Sequence, residues 1–218
     1  MLKSDKNVFW EALVITVFIF GLGILLGVFI ENNRSGKISQ MYLESETNLL
    51  DIKIQSELLD FENIDCEKAV QQNIKFGDSV YQDALKLENY EEASRFTDAE
   101  IKEQHRKYDL LRTLFWINSI KLKEKCNSDF NTLVYLYNYG EEDEQINSIQ
   151  NVFSQSLKDI KESYGNKVIL IPIAKNLDLG SLNLILQNYN LEEVSIVINE
   201  EKVISSIEGL ETIENYLK

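Results

Sequence analysis

The chain has 218 residues, 36 acidic and 22 basic side chains, a formal charge of −14 and a pI near 4.6. That balance argues against nucleic acid or anionic membrane surfaces as partners of its polar part, because both need a basic face. One histidine and two widely separated cysteines do not make a usual zinc site, so neither a metal nor another cofactor is implied.

Ala12 to Ile30 is a run of 19 residues without a charge, rich in Leu, Ile, Val and Phe. A helix of that length crosses about 30 Å of hydrocarbon. The run is longer than a signal-peptide core, and Gly27-Val28-Phe29-Ile30-Glu31 is a poor cleavage site. A single-pass anchor over Val8–Ile30 is expected, inserted in the lipid bilayer and followed by a soluble body. Lys3, Lys6 and the amino terminus are offset by Asp5, and Arg34 and Lys37 by Glu31. The slight amino-terminal excess predicts a signal-anchor, with the body outside the cell membrane. Glu11 beside Trp10 reads as an interfacial carboxylate. A pilin-like glutamate is the alternative, although Lys6 stands where a small residue precedes the processing site in that family. Gly23-xxx-Gly27 offers a close-approach face for a homo-oligomer.

Residues 32–62 form a juxtamembrane segment in which Leu43, Leu50, Ile54, Leu58 and Phe61 make a narrow apolar stripe. The stripe suits a coiled coil or packing on a neighbouring segment. Residues 63–128 read as a helical hairpin. Asn63-Ile64-Asp65 caps a helix carrying Cys66, Val70, Ile74, Tyr81 and Leu85, which ends in the polar stretch Glu88 to Arg95. Thr97 and Glu100 form a capping box for a third helix with Tyr108, Leu111, Phe115, Leu122 and Cys126 on one stripe. His105, within Glu103-Gln104-His105-Arg106-Lys107, reads as a solvated helix residue.

In an antiparallel hairpin Cys66 and Cys126 reach the same end, and a disulfide there would close a loop of about 60 residues, worth about 4 kcal/mol. Two buried free thiols are the alternative, since cysteine behaves as a small hydrophobe.

Residues 129–218 alternate strand and helix. Thr132–Tyr137 is a strand. Gln145–Tyr164 is a helix with Ile149, Val152, Phe153, Leu157 and Ile160 on one face. Lys167–Ala174 is a second strand, Leu179–Tyr189 a helix, and Val194–Ile198 a third strand turning at Asn199-Glu200-Glu201 into Lys202–Ser206. A closing helix presents Leu210, Ile213, Tyr216 and Leu217. The order βαβαββα is an α/β arrangement, with parallel pairing of the first two strands and an antiparallel hairpin at the end.

That order resembles the core of a thioredoxin-like domain, and Tyr189-Asn190-Leu191 through Val203 with the final helix looks like that family's last hairpin and helix. Anchor, cysteine-bearing hairpin and α/β domain together are similar to archaeal membrane-anchored thioredoxin-like proteins. In the resembling topology the second strand lies at the sheet edge, where Pro172, lacking an N–H, is tolerated. The family's Cys-x-x-Cys position reads Asn138-Tyr139-Gly140-Glu141-Glu142-Asp143-Glu144-Gln145, and Val194 or Ser195 stands at its cis-proline. With both elements replaced, the resemblance implies a degenerate, non-enzymatic domain. Its surface near Tyr139, Glu141, Glu142, Val194 and Ser195 would bind or scaffold a protein partner. Two alternatives stand beside this reading. One is a thiol–disulfide oxidoreductase or accessory using Cys66 and Cys126; the other is an oligomeric envelope component.

Overall fold

The structure, a computed structural model, describes residues 5–61, 63–92 and 97–217. Lys3 and the stretch 93–96, which holds the expected end of the second helix at Arg95, lie outside the described residues. The chain divides into two compact units, Met1–Glu44 and Ser45–Lys218.

Helix α1 (Asp5–Leu58) begins in the first unit and ends in the second. It has no break near residue 32, where the sequence reading separates anchor from juxtamembrane helix. Within it, the 22 residues Phe9–Ile30 are long and apolar enough to cross a membrane. At 1.5 Å per residue they extend about 33 Å. Their large side chains, among them Phe18, Ile19, Leu25 and Phe29, are exposed, as a lipid-facing surface requires.

The second unit contains the end of α1, then α2 (Cys66–Glu92), α3 (Asp98–Cys126), β1 (Asn131–Tyr137), α4 (Glu144–Tyr164), β2 (Val168–Ala174), α5 (Gly180–Leu186), β3 (Ser195–Ile198), β4 (Lys202–Ile204) and α6 (Ile207–Leu210). The strands form one mixed sheet in the order β2-β1-β3-β4. β1 and β2 are parallel, with Asn131 opposite Val168 and Tyr137 opposite Ala174. β3 runs antiparallel to both β1 and β4. Pro172 therefore sits on an edge strand, where its missing N–H removes no ladder bond on the outer side.

Side chains of successive strand residues alternate between the two faces of this sheet. Leu133, Tyr135, Leu170, Ile196 and Ile198 cluster with Phe153 and Leu157 of α4 and Leu210 of α6. The intervening residues, Val134, Leu136, Ile169, Ile171 and Ile173, are also buried. α2 and α3 pack on β2, and α5 packs on α3. α5 has only 7 residues, so much of this second face is covered by the hairpin. Hairpin and sheet accordingly form one unit, although the sequence reading sets a boundary at residue 129.

That packing buries α3 on two sides. Toward α2, the Cα of Gly77 lies so near Phe115 that a Cβ there would meet Cζ at 3.0 Å, a contact that the ring would have to relieve by a few tenths of an ångström. Toward the sheet lie His105, Asp109 and Trp116. His105 is 8% exposed, its ring 4.1 Å from that of Tyr139; the expectation of a solvated histidine is corrected. The charged flanks Glu103 and Arg106 misled it, because periodicity reports one apolar stripe and this helix uses two.

On α1, the stripe Leu43, Leu50, Ile54, Leu58 and, just beyond its end, Phe61 is exposed in the single chain, while Ser45, Ile52, Ser56 and, past the helix, Leu59 are buried. Two other expectations need correction. On α2, Asn73, Gly77, Val80 and Asp83 are buried among the described residues, with Val70, Ile74 and Tyr81 at half burial. The closing helix is the single turn α6 followed by a 3-10 turn, Ile213–Tyr216. Leu210 and Ile213 are buried there while Tyr216 is exposed.

Cys66 and Cys126 are disulfide-bonded, with Cα atoms 5.5 Å apart. The bond joins the start of α2 to the end of α3, the same end of the hairpin. Beside it, Lys125 Nζ donates to the carbonyls of Leu59 and Phe61, 2.7 Å for the latter. A cation on these terminal carbonyls satisfies acceptors the helix leaves open.

Candidate functional site

The carboxyl ends of parallel strands are where open α/β sheets commonly bind ligands. Here β1 and β2 end together, and Lys175 N–H donates to the Tyr137 carbonyl at 2.9 Å. The loop leaving β1 turns at Gly140, whose φ of +64° favours glycine. Asp143 then caps α4, its carboxylate accepting from the N–H groups of Gln145 at 2.8 Å and Ile146 at 3.2 Å. Carboxylates therefore stand at the amino terminus of α4, where the helix dipole favours them.

Asn138 is the hub of this loop. Its N–H donates to Gln150 Oε1 at 2.6 Å, and its Nδ2 donates to Glu141 Oε2 and to Glu193 Oε2, each at 2.9 Å. The second bond ties the β1–α4 loop to the segment leading into β3. Asn176, just after β2, exchanges two bonds with the Tyr139 backbone, at 2.9 and 2.8 Å. Hydrogen bonding by the Asn138 side chain, and then by the Asp143 N–H, holds the Glu141 carboxyl below the usual range.

Beneath the loop lies an ion pair the sequence reading missed. Asp109 Oδ1 accepts from Arg112 Nη1 at 2.8 Å, with side chains 0% and 2% exposed. Asp109 Oδ2 also accepts from the Ala174 N–H at 3.3 Å, bridging α3 to the end of β2. Burial is the largest influence on Asp109 and pushes its carboxyl up against the pull of Arg112. Burial also opposes the Arg112 cation, but Asp109, Tyr137 and Tyr108 outweigh it and raise its pKa. The guanidinium lies 5.8 Å from the centre of the Tyr108 ring. The only sequence trace of this pair is a charged i, i+3 couple flanked by Tyr108 and Leu111 on a helix with an apolar stripe.

Of the residues expected to bind a partner, Tyr139, Glu141 and Glu142 lie together on the β1–α4 loop, with Glu142 fully outward. Val194 and Ser195 do not join them at the surface. Val194 is 3% exposed and belongs to the core under α4 and α6; Ser195 is 0% exposed, its Oγ 2.9 Å from Ser205 Oγ and accepting from the Glu192 N–H. The partner-facing role assigned to their side chains is corrected. Helices packed on both faces of the sheet decide the point, since successive side chains point to opposite faces and both are covered. Glu193, one residue earlier, reaches the loop instead.

The site thus offers a rim of carboxylates on a hydrogen-bonded loop, braced from below by a buried ion pair. Among the described residues no group of three His, Cys, Asp or Glu side chains is placed to hold a metal ion. No known protein family, curated protein or solved structure matches this chain.

Proposed function

We propose that the chain is a single-pass membrane protein whose body is a thioredoxin-like domain without dithiol chemistry, acting as a binding or scaffolding module for a protein partner. The observation that carries this reading is the β2-β1-β3-β4 sheet with parallel β1 and β2 and antiparallel β3, combined with a sulfur-free, Asp143-capped turn at the start of α4. A thiolate at that turn would face Glu141, Glu142 and Glu144, and like charges disfavour it. The Tyr139–Glu142 loop and Glu193 are the contact surface in this reading, and the body lies outside the membrane.

A photo-reactive residue at Glu142 in native membranes should crosslink a discrete partner, and the same probe at the exposed Glu162 of α4 should not. Equal labelling from both positions, or insulin reduction by the full chain lacking both cysteines, would sink the reading. Protease added to intact cells should remove the body; protection of the body with an accessible amino terminus would reverse the orientation.

A second reading, a redox accessory acting through Cys66 and Cys126, is favoured by one observation, the half-buried disulfide these residues form. Replacing both by serine separates the two: the crosslink survives in either case, but only a redox accessory loses its thiol–disulfide activity on the partner.

A further inference from the structure

The last turns of α1 hold an apolar stripe in the open. Leu50, Ile54, Leu58 and, just past the helix, Phe61 are 56%, 55%, 48% and 65% exposed. They recur at the three- and four-residue spacing that keeps side chains on one helix face. The inward face is Ser45, Ile52 and Ser56, with Leu59 beyond the helix. Bonds from α3 fix that phase. Lys121 Nζ donates to Ser56 Oγ at 3.3 Å, and Lys125 Nζ donates to the Phe61 carbonyl at 2.7 Å. Two serines are thus held inward while larger apolar side chains stay in water, and a contiguous apolar patch of that kind marks a contact surface.

Beside the stripe a groove of about 370 Å³ opens between α1, α2 and α3, with Leu58, Leu59, Ile64 and Leu122 on its walls. Leu58 belongs to both, so stripe and groove make one surface. A helix laid along the stripe can seat a large side chain in the groove, as amphipathic helices do in apolar grooves.

Charge decides which helix fits. Between Ser45 and Phe61 the charged side chains are Glu46, Asp51, Lys53, Glu57 and Asp60, four acidic and one basic, all exposed. Among the described residues none of these four carboxylates is in a salt bridge. A second copy of the chain would bring the same acidic excess against this one, and like charges across an interface oppose it. A helix with cations beside its apolar face neutralises the excess instead.

We propose that this surface docks an amphipathic helix of another protein, with Leu- or Phe-sized side chains on one face and Lys or Arg along its borders. The apolar face covers Leu50, Ile54, Leu58 and Phe61, and the basic borders meet Glu46, Asp51 and Glu57. The surface is built from other elements than the β1–α4 loop and does not depend on the partner reading of that loop.

The test uses the full chain in phosphatidylcholine nanodiscs, with empty nanodiscs as the blank, and fluorescence anisotropy of three labelled peptides of about 20 residues. One carries a Leu stripe with Lys borders, the second the same stripe with Glu borders, and the third Lys borders with Ser in place of Leu. The first should bind saturably, with the second and third each weaker by about tenfold or more. Added salt should weaken the first. Ile54→Gln and Leu58→Gln change exposed side chains without changing charge, and each should weaken the first peptide several-fold; Leu184→Gln, exposed on α5, should not. Equal binding of the Lys- and Glu-bordered peptides, or unchanged affinity in both Ile54→Gln and Leu58→Gln, overturns the proposal. So does a dimer of the purified chain alone that Ile54→Gln dissolves in sedimentation, which would give the surface to a second copy.

Discussion

Trp116 Nε1 donates to Glu200 Oε1 at 3.1 Å, joining positions 84 apart in sequence. Trp116 is buried at the centre of α3, and Glu200 is on the turn between β3 and β4. The same carboxylate accepts from Lys123 Nζ at 3.1 Å and Thr132 Oγ1 at 2.5 Å. Asn199 and Glu200 have φ of 49° and 62°, the positive values that a type I′ hairpin turn requires at both central positions. Glycine is the usual occupant of the second; a glutamate there accepts strain in return for three bonds to α3 and β1.

The first prediction follows from that opposition. Glu200→Ala keeps the backbone strain and leaves the Trp116 N–H unsatisfied, costing about 2 kcal/mol. Glu200→Gly loses the same bonds but relieves the positive φ, so its cost should be smaller by about 1 kcal/mol. Urea midpoints should fall in the order wild type, glycine, alanine; an alanine variant as stable as wild type would refute the network's contribution.

The Asp109–Arg112 pair should behave as a buried ion pair. Arg112→Met alone strands a carboxylate and should destabilise by about 3–5 kcal/mol, whereas Asp109→Leu combined with Arg112→Met should recover most of that loss. Chemical denaturation of the three proteins measures it. A double variant no more stable than the single one would mean that the Asp109 bond to the Ala174 N–H, which only the double variant loses, outweighs the relief of the stranded charge.

The disulfide links positions 60 apart. Reduction, or serine at Cys66 and Cys126, should lower stability by about 4 kcal/mol through the unfolded chain, with a matching fall in Tm. The oxidised denatured protein should take up no alkylating reagent. Two labelled thiols would contradict the bond.

Acidification should release the β1–α4 loop at its Glu141 contact. The Glu141 pKa is depressed in the folded protein, chiefly by Asn138. Its contribution is therefore complete above the ordinary glutamate range and is lost as pH falls through the lowered folded value. An NMR titration of the Asn138 side-chain amide should move with that lowered midpoint. A midpoint at or above the ordinary glutamate value would exclude the bond.

Several features were legible in the chain because they are local. The apolar run over Phe9–Ile30 depends on length and composition alone. The alternation of strand and helix after residue 130 follows from period and turn residues, and the Thr97–Glu100 capping box formed as its spacing predicts. Pro172, lacking an N–H, is compatible with the edge position of β2, and two cysteines at one end of a hairpin pointed to their bond.

The assignments that needed the tertiary structure all concern which side of an element meets another. Leu50 and Ile54 lie outward on α1 while Ser56 lies inward, and His105 is covered although charged residues flank it. Val194 and Ser195 go inside because helices cover the faces of the sheet, Val194 packing with Phe153, Leu157 and Leu210, and Asp109 finds its partners on its own helix and on a strand 65 positions away. A sequence period gives the phase of one face. When α3 is clasped between α2 and the sheet, two faces are buried at once, and only the contacts between distant segments decide which polar side chains are carried in and bonded.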